Sequence, residues 1–242
     1  KEKRVELFKK YAELVPEKEE KEHELPELPN VKKNMIFRLA PFPSGALHIG
    51  NAKTYLLNAL YAKKYKAKIL LVIDDTIGSE EKQIAPEAYK LIEEAFQWLN
   101  IKYEKPVIYK SDRLEIYYKY AIELIKKEKA YICNCSHEKF KELKDKMEEC
   151  PCRNKSVEEE LELWDKMFSA EPGSCVLRIK TSMSNPHPAF RDRVLFKISD
   201  REHPRVKKKY RVWPTLEMSW AFDDHLLGIT HILRGDDLVI ET

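Results

Sequence analysis

A doubly wound parallel α/β sheet, interrupted by a mixed α/β insertion, is the fold class this sequence predicts, and three observations predict it. Two short apolar runs, 35–39 and 69–73, read as buried strands, with a Gly/Pro loop and a helix-period segment between them. Further helical stretches at 80–99 and 112–128 continue the strand–helix alternation of a parallel sheet. From 130 to 200 the alternation stops, and paired cysteines, charged helical stretches and separated strand-like runs replace it.

Taken in order, residues 1–15 space Val5, Phe8, Tyr11, Ala12 and Val15 as one face of an amphipathic helix, and the charged, proline-containing 16–29 reads as a linker or arm. Met35-Ile36-Phe37-Arg38-Leu39 is the first strand, broken into a loop by Pro41, Pro43 and Gly45. His48 to Tyr65 carries helical spacing, Ile69 to Ile73 is the second strand, and two helices follow. Within the insertion, 136–148 and 155–168 read as helices and 175–180 and 194–198 as strands. Residues 210–242 return to apolar strand and loop patterns. The expected organisation is an N-terminal helix and arm (1–30), a first half-sheet (31–129), the insertion (130–205) and a second half-sheet (206–242).

The 242 residues, 43% of them hydrophobic, suffice for one large domain with its own core. A net charge of +3 excludes a histone-like polycation but leaves room for a local basic face; 63–68 and 201–211 are the two candidate stretches. No run of about 18 apolar residues is present to cross a bilayer. The charged first residues have no signal-peptide core behind them, so a cytoplasmic location is expected. Five cysteines in that setting argue for reduced thiols or metal.

Cys133-x-Cys135 and Cys150-x-Cys152 form two close pairs joined by a helical stretch, and four thiolates so paired can close a tetrahedral zinc site. Unliganded thiols and disulfides are the alternatives, His137 is a substitute ligand, and Cys175 lies outside the cluster. Four protein ligands leave no open position, so such a zinc would be structural.

The loop and helix start at 38–54 lie where a first parallel strand ends, the place where such sheets bind nucleotides. Gly45 and Gly50 remove side chains where backbone approaches a ligand, the free amides of a helix start favour phosphate, and His48 can donate to a phosphate oxygen. The whole string is more specific than its parts. Arg38-Leu-Ala-Pro-Phe-Pro-Ser-Gly45 followed by His48-Ile-Gly-Asn51 resembles the RFAPSPTG and HIGH strings of class I aminoacyl-tRNA synthetases of the glutamyl type. Ile73-Asp74-Asp75-Thr76 resembles the acidic strand end of the same enzymes. Tyr210-Arg-Val-Trp-Pro-Thr215 and Asp223-Asp-His-Leu-Leu-Gly-Ile-Thr-His-Ile-Leu-Arg-Gly-Asp-Asp237 resemble their YRVWPT and DDHLLGITHVLRG segments, above all in the archaeal type.

That resemblance implies a Rossmann-like nucleotide-binding domain and ATP-dependent ligation of glutamate to tRNA through a glutamyl-adenylate. It implies that His48 and Asn51 stabilise charge on the ATP α-phosphate, with Pro43, Ser44, Gly45, Gly50, Asp236 and Asp237 around the nucleotide. Arg38 would pair with the substrate's side-chain carboxylate and Asp74 would lie near its α-amino group. Leu216, Trp220 and Arg234 would complete the amino-acid site, and Asp223, Asp224 and His225 would orient it from behind. Magnesium would accompany ATP, and the insertion, with its zinc, would hold the tRNA acceptor end.

The sequence also departs from the family pattern. Asn51 replaces the last His of HIGH, Phe42 a polar residue, and Val72 an Arg before the acids. Leu216 and Trp220 replace a Tyr and an Asn of bacterial members. No KMSKS-like string follows residue 212, so the resemblance covers only the first half of the family's length and implies a missing C-terminal half or a partner chain. A truncated relative that glutamylates a modified tRNA base, and a non-catalytic zinc-bearing fragment that binds tRNA or docks a partner, are the alternatives.

Overall fold

The structure is a computed structural model and describes residues 25–77 and 83–235. The helix expected at 1–15 lies outside the described residues, as do Asp236 and Asp237. The chain divides into two compact units, Lys1–Val31 and Lys32–Thr242, and every strand and helix of the described residues belongs to the second.

A parallel sheet opens the fold. β1 (Ile36–Leu39), β2 (Lys68–Ile73) and β3 (Glu104–Tyr109) pair in that order, with Ile36 opposite Lys68 and Leu39 opposite Leu71. The helices α1 (Ile49–Tyr65) and α2 (Ala88–Trp98) make the crossovers. β1 and β2 are buried apolar runs, as strands covered on both faces must be. Sequence reading did not find β3. Its first half is charged, Pro106 lacks a ladder donor, and only an edge position tolerates both. The chain later returns to the other edge of β1, where Thr230 donates its amide to the Ile36 carbonyl at 2.9 Å and His231 bridges Phe37 in parallel. Among the described residues, a single parallel bridge thus lines the edge of β1 opposite β2.

α3 (Leu114–Lys126) leads into an antiparallel sheet of β4 (Ala130–Cys133), β5 (Val176–Ile179), β6 (Val194–Ile198) and β7 (Val212–Pro214), in that order. The long β4–β5 connection carries α4 (His137–Lys146) and α5 (Val157–Met167). Serines start both helices. Ser136 accepts the Lys139 amide, and Ser156 closes a reciprocal box with Glu159. β7, which sequence reading assigned to the second half-sheet, pairs with β6 through Phe196–Pro214 and Ile198–Val212.

The segment after β7 differs from expectation. Instead of strand and loop, Leu216–Leu226 is a helix, α6, and its buried face is Met218, Ser219, Trp220 and Asp223. Two of those four are polar, so the apolar periodicity that marks a helix is diluted. The main core joins α3, α5 and α6 to the antiparallel sheet through Tyr117, Tyr118, Trp164, Phe196, Val212 and Trp213. No helix among the described residues is long and apolar enough to cross a membrane.

Candidate active-site cleft

A cleft of about 1190 Å³ runs from the carboxyl end of β2 across the face of β5 and β6. Phe42, Asp74, Thr76, Thr215 and Leu216 line one end of it, and Cys135, Phe140, Lys144 and Arg178 line the other.

Asp74 and Asp75 leave β2 with opposite fates. Asp74 faces the cleft, and its Oδ1 receives Thr76 Oγ1 at 3.2 Å and lies 3.3 Å from Lys110 Nζ. Asp75 is fully buried and accepts from the Ser111 amide at 2.8 Å, Ser111 Oγ at 2.7 Å and Tyr89 Oη at 3.0 Å. Of the two neighbours, Asp74 is the one that lines the cleft.

Arg38, the last residue but one of β1, is 6% exposed and makes a two-pronged pair with Asp224 of α6 through Nε and Nη2. Its guanidinium carbon sits 3.5 Å from the centre of the Trp220 ring. Nη1 keeps its donors for another acceptor, because a guanidinium offers five. Lys110 Nζ stands 3.2 Å from the same ring centre and donates to Ser219 Oγ at 2.7 Å. Lys110 has no exposed surface. Burial pushes its ammonium down to about 8, against the pull of the Asp74 and Asp223 carboxylates. Trp220 itself is buried and does not line the cleft, whereas Leu216 does. Asp223, fully buried, binds Arg113 Nε at 2.8 Å and Tyr117 Oη at 2.5 Å. Sequence reading missed Lys110. Its signal is position, since it follows directly on β3 at the carboxyl end of a parallel strand.

At the start of α1, His48 is the N-cap. Its Nδ1 accepts the Gly50 amide at 3.1 Å, and the Asn51 side chain accepts the His48 amide at 3.4 Å. Nε2 is left pointing away from the cap as a donor. Gly45 has φ +154°, a backbone conformation that side chains disfavour. Pro43 is buried, and Ser44, His48 and Gly50 are exposed and stand outside the lining of the cleft. Arg234 is half-buried three residues after His231.

Cys133, Cys135, Cys150 and Cys152 bring their sulfurs within 4.8 Å of one another. The closest pairs are 133–150 at 3.8 Å, 135–150 at 3.6 Å and 135–152 at 3.9 Å. Those separations fit a tetrahedron with Zn–S near 2.3 Å, whose edges are about 3.8 Å. They are far from a disulfide bond, and all five cysteines are free.

Residues 34–242 match the family described as tRNA synthetases class I (E and Q), catalytic domain. The glutamate–tRNA ligase of Methanobrevibacter smithii is 47% identical over 233 residues, which is 96% of this chain and 41% of that protein. The glutamate–tRNA ligase of Methanocaldococcus jannaschii is 44% identical over 240 residues, 98% of this chain and 42% of that one. The chain thus spans about two fifths of the length of the relatives it matches. The crystal structure of glutamate–tRNA synthetase from Elizabethkingia anophelis superposes on 86% of this chain and 45% of its own, with a TM-score of 0.60 at 22% identity, a likeness of fold.

Proposed function

This chain belongs to the catalytic-domain family of the class I tRNA synthetases for glutamate and glutamine, and on that premise we propose that it forms the activating part of an enzyme that ligates glutamate to tRNA. The observation that carries the proposal is the placement of Arg38 in β1 and of Asp74 just past β2, at the carboxyl ends of adjacent parallel strands, beside the edge where the chain returns to β1. On this reading the position corresponds to the switch point of a doubly wound sheet, where nucleotides and their co-substrates would bind.

Each residue has a physical role on this reading. Arg38 offers Nη1 to the side-chain carboxylate of glutamate while Asp224 fixes the plane of its guanidinium. A charge-assisted contact to Nη1 favours the carboxylate of glutamate over the uncharged amide of glutamine. Asp74 receives the α-ammonium, with Leu216 and the buried Trp220 shaping the walls. The α-carboxylate oxygen then attacks the α-phosphorus of ATP, and pyrophosphate leaves with the bond electrons. His48 Nε2, Asn51 and the free amides at the start of α1 stabilise the charge that builds on the phosphoryl oxygens. Pro43, Ser44, Gly45 and Gly50 keep the backbone close to the nucleotide. Asp236 and Asp237 are assigned to its ribose and Arg234 to the substrate, by resemblance. Magnesium arriving with ATP would offset phosphate charge.

The second step passes the acyl group to the terminal ribose hydroxyl of tRNA. The insertion, 130–205, is assigned to the acceptor end, and the cleft links its sheet to Asp74. The four cysteines would hold structural zinc at the root of α4, with burial pushing the Cys150 thiol up until a cation is bound.

Calorimetric titration of a non-hydrolysable glutamyl-adenylate analogue, beside its glutaminyl counterpart, tests the reading. A glutamyl preference of about tenfold or more, lost in Arg38→Ala, is the expected result; tenfold corresponds to about 1.4 kcal/mol. Equal affinity for both analogues, or an unchanged preference in Arg38→Ala, would overturn the assignment.

A further inference from the structure

Two arginines are buried in the wall of the cleft, and their surroundings differ. Arg191, 3% exposed, spends its donors on three backbone carbonyls: Nε on Asn185 at 2.7 Å, Nη1 on Lys144 at 2.6 Å and Nη2 on Pro186 at 3.3 Å. The Lys144 carbonyl belongs to the last turn of α4, the negative end of that helix, so the charge of Arg191 is answered within the fold.

Arg178 of β5 is not answered in this way. It is 8% exposed, has no carboxylate at ion-pair distance among the described residues, and makes one hydrogen bond there, Nη1 to the Asp192 carbonyl at 3.1 Å. Its Nε is buried with no acceptor. The guanidinium carbon lies over the ring of Phe140 of α4, 3.4 Å from its centre, and both residues line the cleft. Asp192 cannot neutralise it, because its carboxylate is taken by Tyr131, Arg153 and Thr181. Burying a guanidinium without a counter-anion is costly, and one aromatic face offsets only part of that. Lys141 and Lys144, on the same helix, also line the cleft and have no ion-pair partner among the described residues.

We propose that Arg178, lying over Phe140, is a subsite for a backbone phosphodiester of the single-stranded 3′ end of RNA entering the cleft. The inference rests on the assignment of the insertion to the acceptor end and names the residue that would read it. Nη2, which makes no hydrogen bond among the described residues, is the donor a phosphodiester oxygen would meet. Lys141 and Lys144 extend the positive track along the strand. Single-stranded ends, whose unstacked bases stack on aromatic side chains, suit a cleft with Phe140 in its wall.

The test uses an RNA hairpin with a short single-stranded 3′ overhang ending in CCA, the same hairpin blunt-ended, and inorganic phosphate. Wild type is expected to prefer the overhang. Arg178→Gln should weaken overhang binding about tenfold or more and leave blunt binding unchanged, with Arg178→Lys in between. Melting temperature and zinc content of Arg178→Gln should equal or exceed wild type, since a structural arginine would cost stability when removed and an unanswered one would not. A wild-type preference that survives Arg178→Gln overturns this inference and leaves the acceptor-end reading standing. No preference for the overhang in wild type overturns both. Loss of zinc or a clear drop in melting temperature in Arg178→Gln would assign the guanidinium to the fold or to the thiolates and also overturn the inference.

Discussion

Gly50 leaves no room for a side chain at the start of α1. A Cβ there would meet His48 Cε1 at 2.9 Å and Nδ1 at 3.1 Å, so the imidazole would have to leave the amide it caps. Gly50→Ala is expected to cost about 1 kcal/mol of stability, the usual worth of a helix cap, by thermal denaturation. On the proposed mechanism it should also weaken adenylate-analogue binding about tenfold, because Nε2 loses its aim. A variant that keeps full analogue affinity would detach His48 from the nucleotide. At this scale the sequence was legible where residues sit in a string. His48, Gly50, Asn51 and Arg38 were singled out that way, and they lie at the start of α1 and in β1. Lys110 was not, because a buried lysine looks like any other in a chain with 44 basic residues. Nor does sequence tell which of two adjacent acids faces a ligand. The burial of Asp75 among Ser111, Tyr89 and the 201–209 loop decides that, and it required the fold.

That loop is held by a histidine. His203 is fully buried and stacked on Trp213, its Nδ1 accepts the Arg205 and Val206 amides, and its Nε2 lies 2.8 Å from the Asp75 carbonyl. Only the neutral ring with hydrogen on Nε2 satisfies all three contacts. Burial lowers its affinity for a proton below the ordinary 6.5, although the Asp75 and Asp112 carboxylates pull the other way and Arg205 adds to the lowering. The unfolded chain therefore binds the proton more readily. The contribution of His203 is complete above 6.5 and is lost as pH falls through the lower native value. Urea midpoints at about pH 8 and about pH 5 should show the loss in wild type and a smaller one in His203→Gln. Equal losses would place the titration elsewhere. Among elements, regular apolar runs gave β1 and β2, and charged helical stretches gave α4 and α5. β3 and α6 escaped because an edge strand can be half charged, and a helix whose buried face holds Ser219 and Asp223 loses its period.

Across the molecule, α6 ties the two sheets together. Its Arg38–Asp224 pair reaches β1, its Lys110–Ser219 contact reaches the end of β3, and its Asp223 carboxylate holds Arg113 and Tyr117 at the start of α3. Asp223→Ala strands a half-buried arginine and a buried hydroxyl together. It should cost about 3–5 kcal/mol, read as a lower denaturant midpoint within a single transition. Two separated transitions would instead show that the sheets unfold independently. Fold class was legible at this scale because strand–helix alternation is a long-range pattern, and its interruption was legible as a change of composition. The answer given to each buried charge was not, since pairs such as 38–224 and 110–219 join residues over 100 positions apart.

The cations that flank Trp220 give the molecule an optical signal of its own. An indole's emission responds to nearby charge, and here a guanidinium and an ammonium lie 3.5 and 3.2 Å from one ring. Trp164 and Trp213 are buried in the apolar core and Trp98 is 85% exposed. Trp220 alone among the four is thus tuned by the groups that would answer a substrate. A carboxylate that draws Arg38 toward itself would change the colour of this residue before any bond is made.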